Sequence, residues 1–287
     1  MRVMNSRESI KAEFKSIDEE IDKDMTVYLM GGGAMTFRGL KNATYDLDLL
    51  TTTRHDFELL RDLLLELDYE VVEKPIEEYK ALGAAVLLDK DDACRFDIFD
   101  RKAIRKLSLS KDMRERAGEV FAGSKFCVCA LSNEDIFLFK GVSGRSHDVN
   151  DMVKLVESEK GLAFDVIIEE LQNQLPINKG KAERDILRDT PENHPVIAFE
   201  RAIESLPMTL PRSFMTQIEC EADRVYAEFE IISKITEQAT ITDIADQLVP
   251  KSTVNVNSRA DVKSIIDGLV SKGLVESDGE NVRLKNL

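Results

Sequence analysis

The stretch 26–51, TVYLMGGGAMTFRGLKNATYDLDLLT, restricts the fold more than any other part of this chain. A short apolar run at 26–30 has the length of a buried strand and stops at three glycines. The glycines turn the chain, 34–40 reads as a short helix, and 45–52 reads as a second strand. Side chains alternate along a strand, so Asp46 and Asp48 share one face while Leu47 and Leu49 take the other. Two carboxylates placed so closely repel each other unless a cation lies between them. Mg²⁺ suits such a pair, because it takes oxygen ligands and keeps open positions for phosphate oxygens.

The segment RFDIFD at 95–100 offers a third carboxylate. Asp97 is out of phase with Phe96 and Ile98, which pack inward. If this strand lies beside the first, Asp97 completes a cluster able to hold two Mg²⁺ ions about 3.5–4 Å apart. One ion lowers the pKa of an attacking hydroxyl, and the other neutralises a leaving pyrophosphate. Asp97 is then also the candidate general base. Gly31, Gly32 and Gly33 let backbone N–H groups approach triphosphate oxygens, and a helix starting after them adds its positive end.

In these residues the chain resembles the polymerase-β-like nucleotidyltransferase superfamily, whose signature is Gly-Gly after a strand, Asp-x-Asp on the next, and a later carboxylate. The match stands as Gly31-Gly32, Asp46-x-Asp48 and Asp97, with Gly32-Gly33 as the alternative pair. The stretch 31–50 is similar to the branch that contains the AbiEii-type toxins of type IV toxin–antitoxin systems. Thr44 matches that branch's threonine, while Asn42, with Lys41 beside it, stands where the branch has arginine. The branch also carries lysine, arginine and aspartate where two helices join, which here are Lys140, Arg145 and Asp148, with Asp151 one turn on. The resemblance covers about residues 26 to 156. It implies a Mg²⁺-dependent transfer of a nucleoside monophosphate from an NTP to a hydroxyl on RNA, protein or a small molecule. Asp46, Asp48 and Asp97 would be catalytic and metal-binding; Gly31, Gly32, Gly33, Thr44, Lys140, Arg145 and Asp148 would contact the nucleotide.

Lys140 also has a reading from physics alone. It follows Ile136 and Phe137 at helical spacing, so it leaves an apolar face and needs an anionic partner. A triphosphate is one such partner, and an internal pair with Asp148 or Asp151 is the other. For Arg38 and Lys41, solvated surface charge and phosphate contact compete on equal terms.

Net charge bounds the partners. The 287 residues sum to −15, so nucleic acid could bind only at a local basic patch. No uncharged apolar run is long enough to span a membrane, and the charged start lacks a secretory apolar stretch, so a cytoplasmic location is expected. Cys127 and Cys129 alternate onto one strand face without C-x-x-C spacing. With Cys94 and Cys220 they read as reduced core thiols. His55, His147 and His194 are scattered.

Further along, 53–67 is a strong helix with Phe57, Leu60, Leu63, Leu64 and Leu67 on one face. Strands are expected at 69–74, 84–90 and 94–100, with a tight turn at Asp91-Asp92. Ser132 and Asp135 form a capping-box pattern for the next helix. Residues 161–236 are helical, punctuated by prolines at 176, 191, 195, 207 and 211. The last part reads as a helix, a second helix with Val262, Ile265, Ile266, Leu269 and Val270 on one stripe, and a hairpin turning at Asp278-Gly279. That order is the order of a winged helix-turn-helix. Residues 251–287 carry six basic and five acidic side chains, a net of +1, and Arg259, Lys263 and Lys272 are candidate DNA contacts.

The expected architecture is therefore α+β. A nucleotidyltransferase-fold mixed sheet flanked by helices fills 1–160, a helical region 161–235, and a winged helix domain 236–287. The competing expectation is a catalytically inactive nucleotidyltransferase fold that senses a ligand within a DNA-binding regulator.

Overall fold

The computed structural model describes residues 5–72, 85–103, 107–174, 191–235, 239–250 and 256–284. The outer parts of the expected strands at 69–74 and 84–90, and the helical reading and proline at 175–190, lie outside these residues. The chain divides into two compact units, 1–167 and 168–287.

The first unit is α+β, a seven-stranded mixed sheet flanked by helices. Its elements run α1 (Arg7–Glu20), β1 (Met25–Met30), α2 (Gly31–Phe37), β2 (Asp46–Thr51), α3 (Arg54–Glu66), β3 (Glu70–Val71), β4 (Val86–Asp89) and β5 (Arg95–Asp100). There follow β6 (Lys102–Ala103), β7 (Leu107–Ser108), α4 (Lys111–Arg116), β8 (Gly118–Ala122), β9 (Phe126–Ala130), α5 (Asn133–Ser143) and α6 (Asp148–Val156). The sheet order is β3-β4-β5-β2-β1-β9-β8. β2 runs parallel to β5 and antiparallel to β1, which runs parallel to β9.

Register sorts the two faces of this sheet. Val27, Leu29, Leu47, Leu49, Phe96, Ile98, Phe126 and Val128 are fully buried on one face, against which α1 and α3 pack. The other face carries Met30 opposite Asp48, Asp48 opposite Asp97, Asp46 opposite Arg95, and Tyr28 opposite Cys129. Alternation in the sequence therefore sorts the side chains between the faces, and the acidic face is itself partly buried, with Leu50, Phe99, Arg95 and Asp97 covered there.

Local signals fix the helix ends. Thr53 accepts from the Asp56 amide at 3.0 Å to start α3, and Phe57, Leu60, Leu63 and Leu64 are buried as the spacing requires. Ser132 accepts from the Asp135 amide at 3.1 Å to start α5, and Gly144 ends it in the left-handed region at φ 63°. Asp92 takes φ 61° in the turn between β4 and β5. No described helix is long and apolar enough to cross a membrane.

α7 (Phe164–Gln174) contains the division point. The second unit continues with a single 3₁₀ turn (Pro191–Asn193), α8 (Pro195–Glu204), α9 (Arg212–Lys234), β10 (Ala239–Thr240), α10 (Ile241–Leu248), α11 (Arg259–Ser271), β11 (Val275–Ser277) and β12 (Asn281–Leu284). Pro195 takes the first helical position of α8, where its missing N–H costs nothing. The three short strands form a sheet in the order β10-β12-β11. Gly279 turns the β11–β12 hairpin at φ 105°. Val262, Ile266 and Leu269 form the buried stripe of α11. Val270, expected on that stripe, is 37% exposed because one residue past Leu269 rotates it away from the core.

Candidate functional site

β2 and β5 set the three acidic side chains on one face of the sheet. Their parallel register sets Asp48 beside Asp97, and Asp46 lies two residues back on the same face. Arg95 enters the same cluster. Its Nε donates to Asp97 Oδ1 at 2.7 Å, and its Nη2 donates to Asp97 Oδ2 at 2.7 Å and Asp46 Oδ2 at 3.0 Å. Arg95 is 2% exposed and Asp97 1% exposed, so this fork lies in the floor of the site. Among the described residues, no three His, Cys, Asp or Glu side chains converge as a metal-binding group; a guanidinium stands between Asp46 and Asp97.

Asp48 is in a different position. Its carboxylate makes no hydrogen bond or ion pair with any described residue, and it lines a cavity. Burial, then the charges of Asp46 and Asp97, push its carboxyl well above the usual range, against the opposing pull of Arg145 and Lys140. Gly31 makes room for it. A Cβ at Gly31 would lie 2.1 Å from Asp48 Oδ2, and its φ of +60° suits glycine. The helix α2 begins at Gly31 itself, not after the glycines, and has only seven residues. Gly33 serves packing: a Cβ there would meet Leu29 at 2.9 Å and Leu47 at 3.1 Å. A Cβ at Gly32 would meet Thr44 Oγ1 at 2.6 Å. That hydroxyl donates to the Asp46 main-chain oxygen at 3.1 Å.

Across the cavity stands a network of charge at the α5–α6 join. Lys140, 6% exposed, donates to Asp148 Oδ1 at 2.8 Å and bridges to Asp151 Oδ2 at 2.7 Å. Arg145 Nε donates to Asp148 Oδ2 at 2.8 Å, and Lys41 reaches Asp151 at 2.7 Å. Burial pushes the Asp148 carboxyl up, but Lys140 and Arg145 outweigh it and hold the pKa at about 2. Burial likewise opposes the Lys140 charge, and Asp148 and Asp151 overcome it, so this lysine stays cationic. The internal pair weighed for Lys140 is thus present, within the wall of the same cavity.

The cavity measures about 840 Å³ and is lined by Gly31, Gly32, Asp46, Asp48, Lys140 and Arg145, among others. Of the residues that the sequence marks, Thr44 and Asp148 also line it, whereas Gly33 and Asp97 lie beneath its surface. Arg38 turns away, its Nε donating to the Leu131 carbonyl at 2.8 Å and its Nη2 to that of Ala130 at 3.1 Å. Sequence reasoning missed Arg95, although it sits two residues before Asp97 on the same strand face. Tyr45, Lys154 and His147 line the cavity too, with no periodic signal to mark them.

Asp46 and Asp48 fit one hard divalent cation: both offer carboxylate oxygens, and among the described residues no donor competes for the Asp48 carboxylate. Elsewhere, Cys127 and Cys129 share a face as expected, their sulfurs 4.0 Å apart, but they are half-buried and not in the core. Cys94 is buried, Cys220 is exposed, and all four are thiols. In the second unit Arg259 pairs with Glu280 at 3.0 Å, and Lys272 is held inward by Glu228. Lys263 is exposed. Comparison with models of known families and with curated proteins finds no match to this chain.

Proposed function

We propose that the first unit is a Mg²⁺-dependent nucleotidyltransferase domain of the polymerase-β-like kind. One observation carries this reading: Asp48, whose carboxylate has no partner among the described residues, shares with Asp46, Lys140 and Arg145 the lining of a cavity of about 840 Å³. Asp46 and Asp48 would hold the cation, which would neutralise charge on the triphosphate and its leaving pyrophosphate. Lys140 and Arg145 supply positive charge that costs no reorganisation, since Asp148 and Asp151 already hold them in place. Gly31 keeps the approach to Asp48 clear. Tyr45, 48% exposed at the rim, offers a ring face on which a nucleobase can stack. The reaction moves a nucleoside monophosphate from an NTP to a hydroxyl, with RNA, a protein or a small molecule as acceptor. A role related to toxin–antitoxin systems follows from the resemblance alone.

A second reading draws on the order helix, helix, hairpin at the end of the chain, which supports a winged helix and hence a ligand-sensing regulator that binds DNA. The ion pairs that occupy Arg259 and Lys272 weigh against DNA as its partner.

The test incubates the full chain with radiolabelled NTPs, Mg²⁺ and total RNA, beside Asp46→Ala/Asp48→Ala. Label transfer by the wild type and none by the variant supports the reading. Transfer that survives the double substitution overturns the site assignment. No transfer from any NTP, together with salt-sensitive DNA binding, favours the regulator.

A further inference from the structure

We infer that Arg95 takes the place of a second metal ion, so that this site holds one divalent cation and not two. The inference rests on the metal-site reading above and deepens it.

The guanidinium engages both oxygens of Asp97 and one oxygen of Asp46. That is where an ion shared by these two carboxylates would sit. A planar fork satisfies the Asp97 carboxylate bidentately, which is the strongest neutral-pH pairing a side chain offers it. Both partners are almost wholly buried. An incoming ion that displaced the guanidinium would strand a permanent positive charge where water cannot solvate it.

Charge balance agrees. Asp46, Asp48 and Asp97 bring three negative charges and Arg95 one positive, leaving two. One divalent ion cancels that remainder. The strand pattern builds this in, because Arg95 and Asp97 alternate onto one face and the β2–β5 register sets Arg95 directly opposite Asp46. Arg95 is thus a positioning residue: it fixes Asp97 and directs the single cation towards Asp48. Asp97, with both oxygens engaged, serves as its anchor.

Mn²⁺ in place of Mg²⁺ counts the ions by electron paramagnetic resonance. The full chain is titrated with Mn²⁺ in the presence of a non-hydrolysable α,β-methylene NTP. The wild type should bind one Mn²⁺ per chain with an isolated-ion spectrum. Arg95→Met should bind two, with dipolar broadening from their proximity, and Arg95→Lys, which keeps the charge, should remain at one. Two coupled ions in the wild type would overturn the inference, as would a single ion in folded Arg95→Met. If Arg95→Met does not fold, the wild-type and Arg95→Lys counts decide alone. A different failure is distinguishable: if Asp48→Asn leaves Mn²⁺ binding unchanged, the metal-site reading itself falls.

Discussion

Replacing Asp48 by Asn should make the metal-free protein more stable, an unusual result for a change inside a site. The carboxylate has no donor among the described residues and lies near other negative charge. Asp46 is two residues away along β2, and a rise of about 3.3 Å per residue puts the two carboxylates roughly 6–7 Å apart. At an effective dielectric of about 20, such a pair repels by ~2.5 kcal/mol. Asp97 adds to this repulsion, while Arg95, shared between Asp46 and Asp97, and then Arg145 and Lys140 return part of it. A net gain of about 1–2 kcal/mol at pH 7 follows. In a unit of this size that is a rise in Tm of about 3–6 °C. The chain has no tryptophan, so scanning calorimetry in EDTA is the assay. Adding Mg²⁺ should reverse the order: at about a hundred times its Kd the wild type gains ~2.7 kcal/mol by mass action, and the variant gains none. An Asp48→Asn protein that is less stable in EDTA, or that Mg²⁺ stabilises as much as the wild type, would refute the electrostatic argument.

Other outcomes follow from the same geometry. Gly31→Ala sets a Cβ against Asp48 at a positive φ, so it should cost about 1–3 kcal/mol and abolish the Mg²⁺-dependent rise in Tm. Lys140→Met leaves Asp148 and Asp151 without their buried cation and should destabilise the first unit by about 3–5 kcal/mol in urea titrations followed by circular dichroism. Tyr45→Ala should weaken nucleotide binding by about 1 kcal/mol, seen as a higher KM at little-changed stability. In the second unit, burial and then Glu204, Asp223 and Glu219 raise Glu200 to about 7. The native state therefore binds more protons than the unfolded one between about pH 4.5 and 7, and stability falls as pH rises through that window. Glu200→Gln should flatten this fall by less than ~1 kcal/mol after solvent screening, in calorimetric scans from pH 5 to 8.

Much of the first unit was legible because its signals are local. Alternation in β2 and β5 reports which side chains share a face, and the capping serine Ser132 marks where α5 begins. The register between β2 and β5 was not legible, since it depends on strands nearly fifty residues apart. Arg95 shows the cost. Its phase was readable, but its partner Asp46 becomes visible only when the strands are paired. Lys140 was readable as a buried cation needing an anion, yet only the packing of α5 on α6 shows that Asp148 and Asp151 supply it. The half-exposure of Cys127 and Cys129 was hidden for a similar reason. A strand pattern gives two faces, and what covers each is a tertiary matter.

The long helix α9 has a consequence for dissecting the molecule. Ala227, Ile231, Ile232 and Ile235 belong to the same hydrophobic cluster as Ile244, Val262, Ile266 and Val282. Glu228 on this helix also receives both Arg224 and Lys272. A fragment cut at residue 236 would lose one wall of its own interior and bare the apolar faces of α10 and α11 to water. A clone intended to isolate the C-terminal elements must carry the helix that precedes them, starting no later than Arg212.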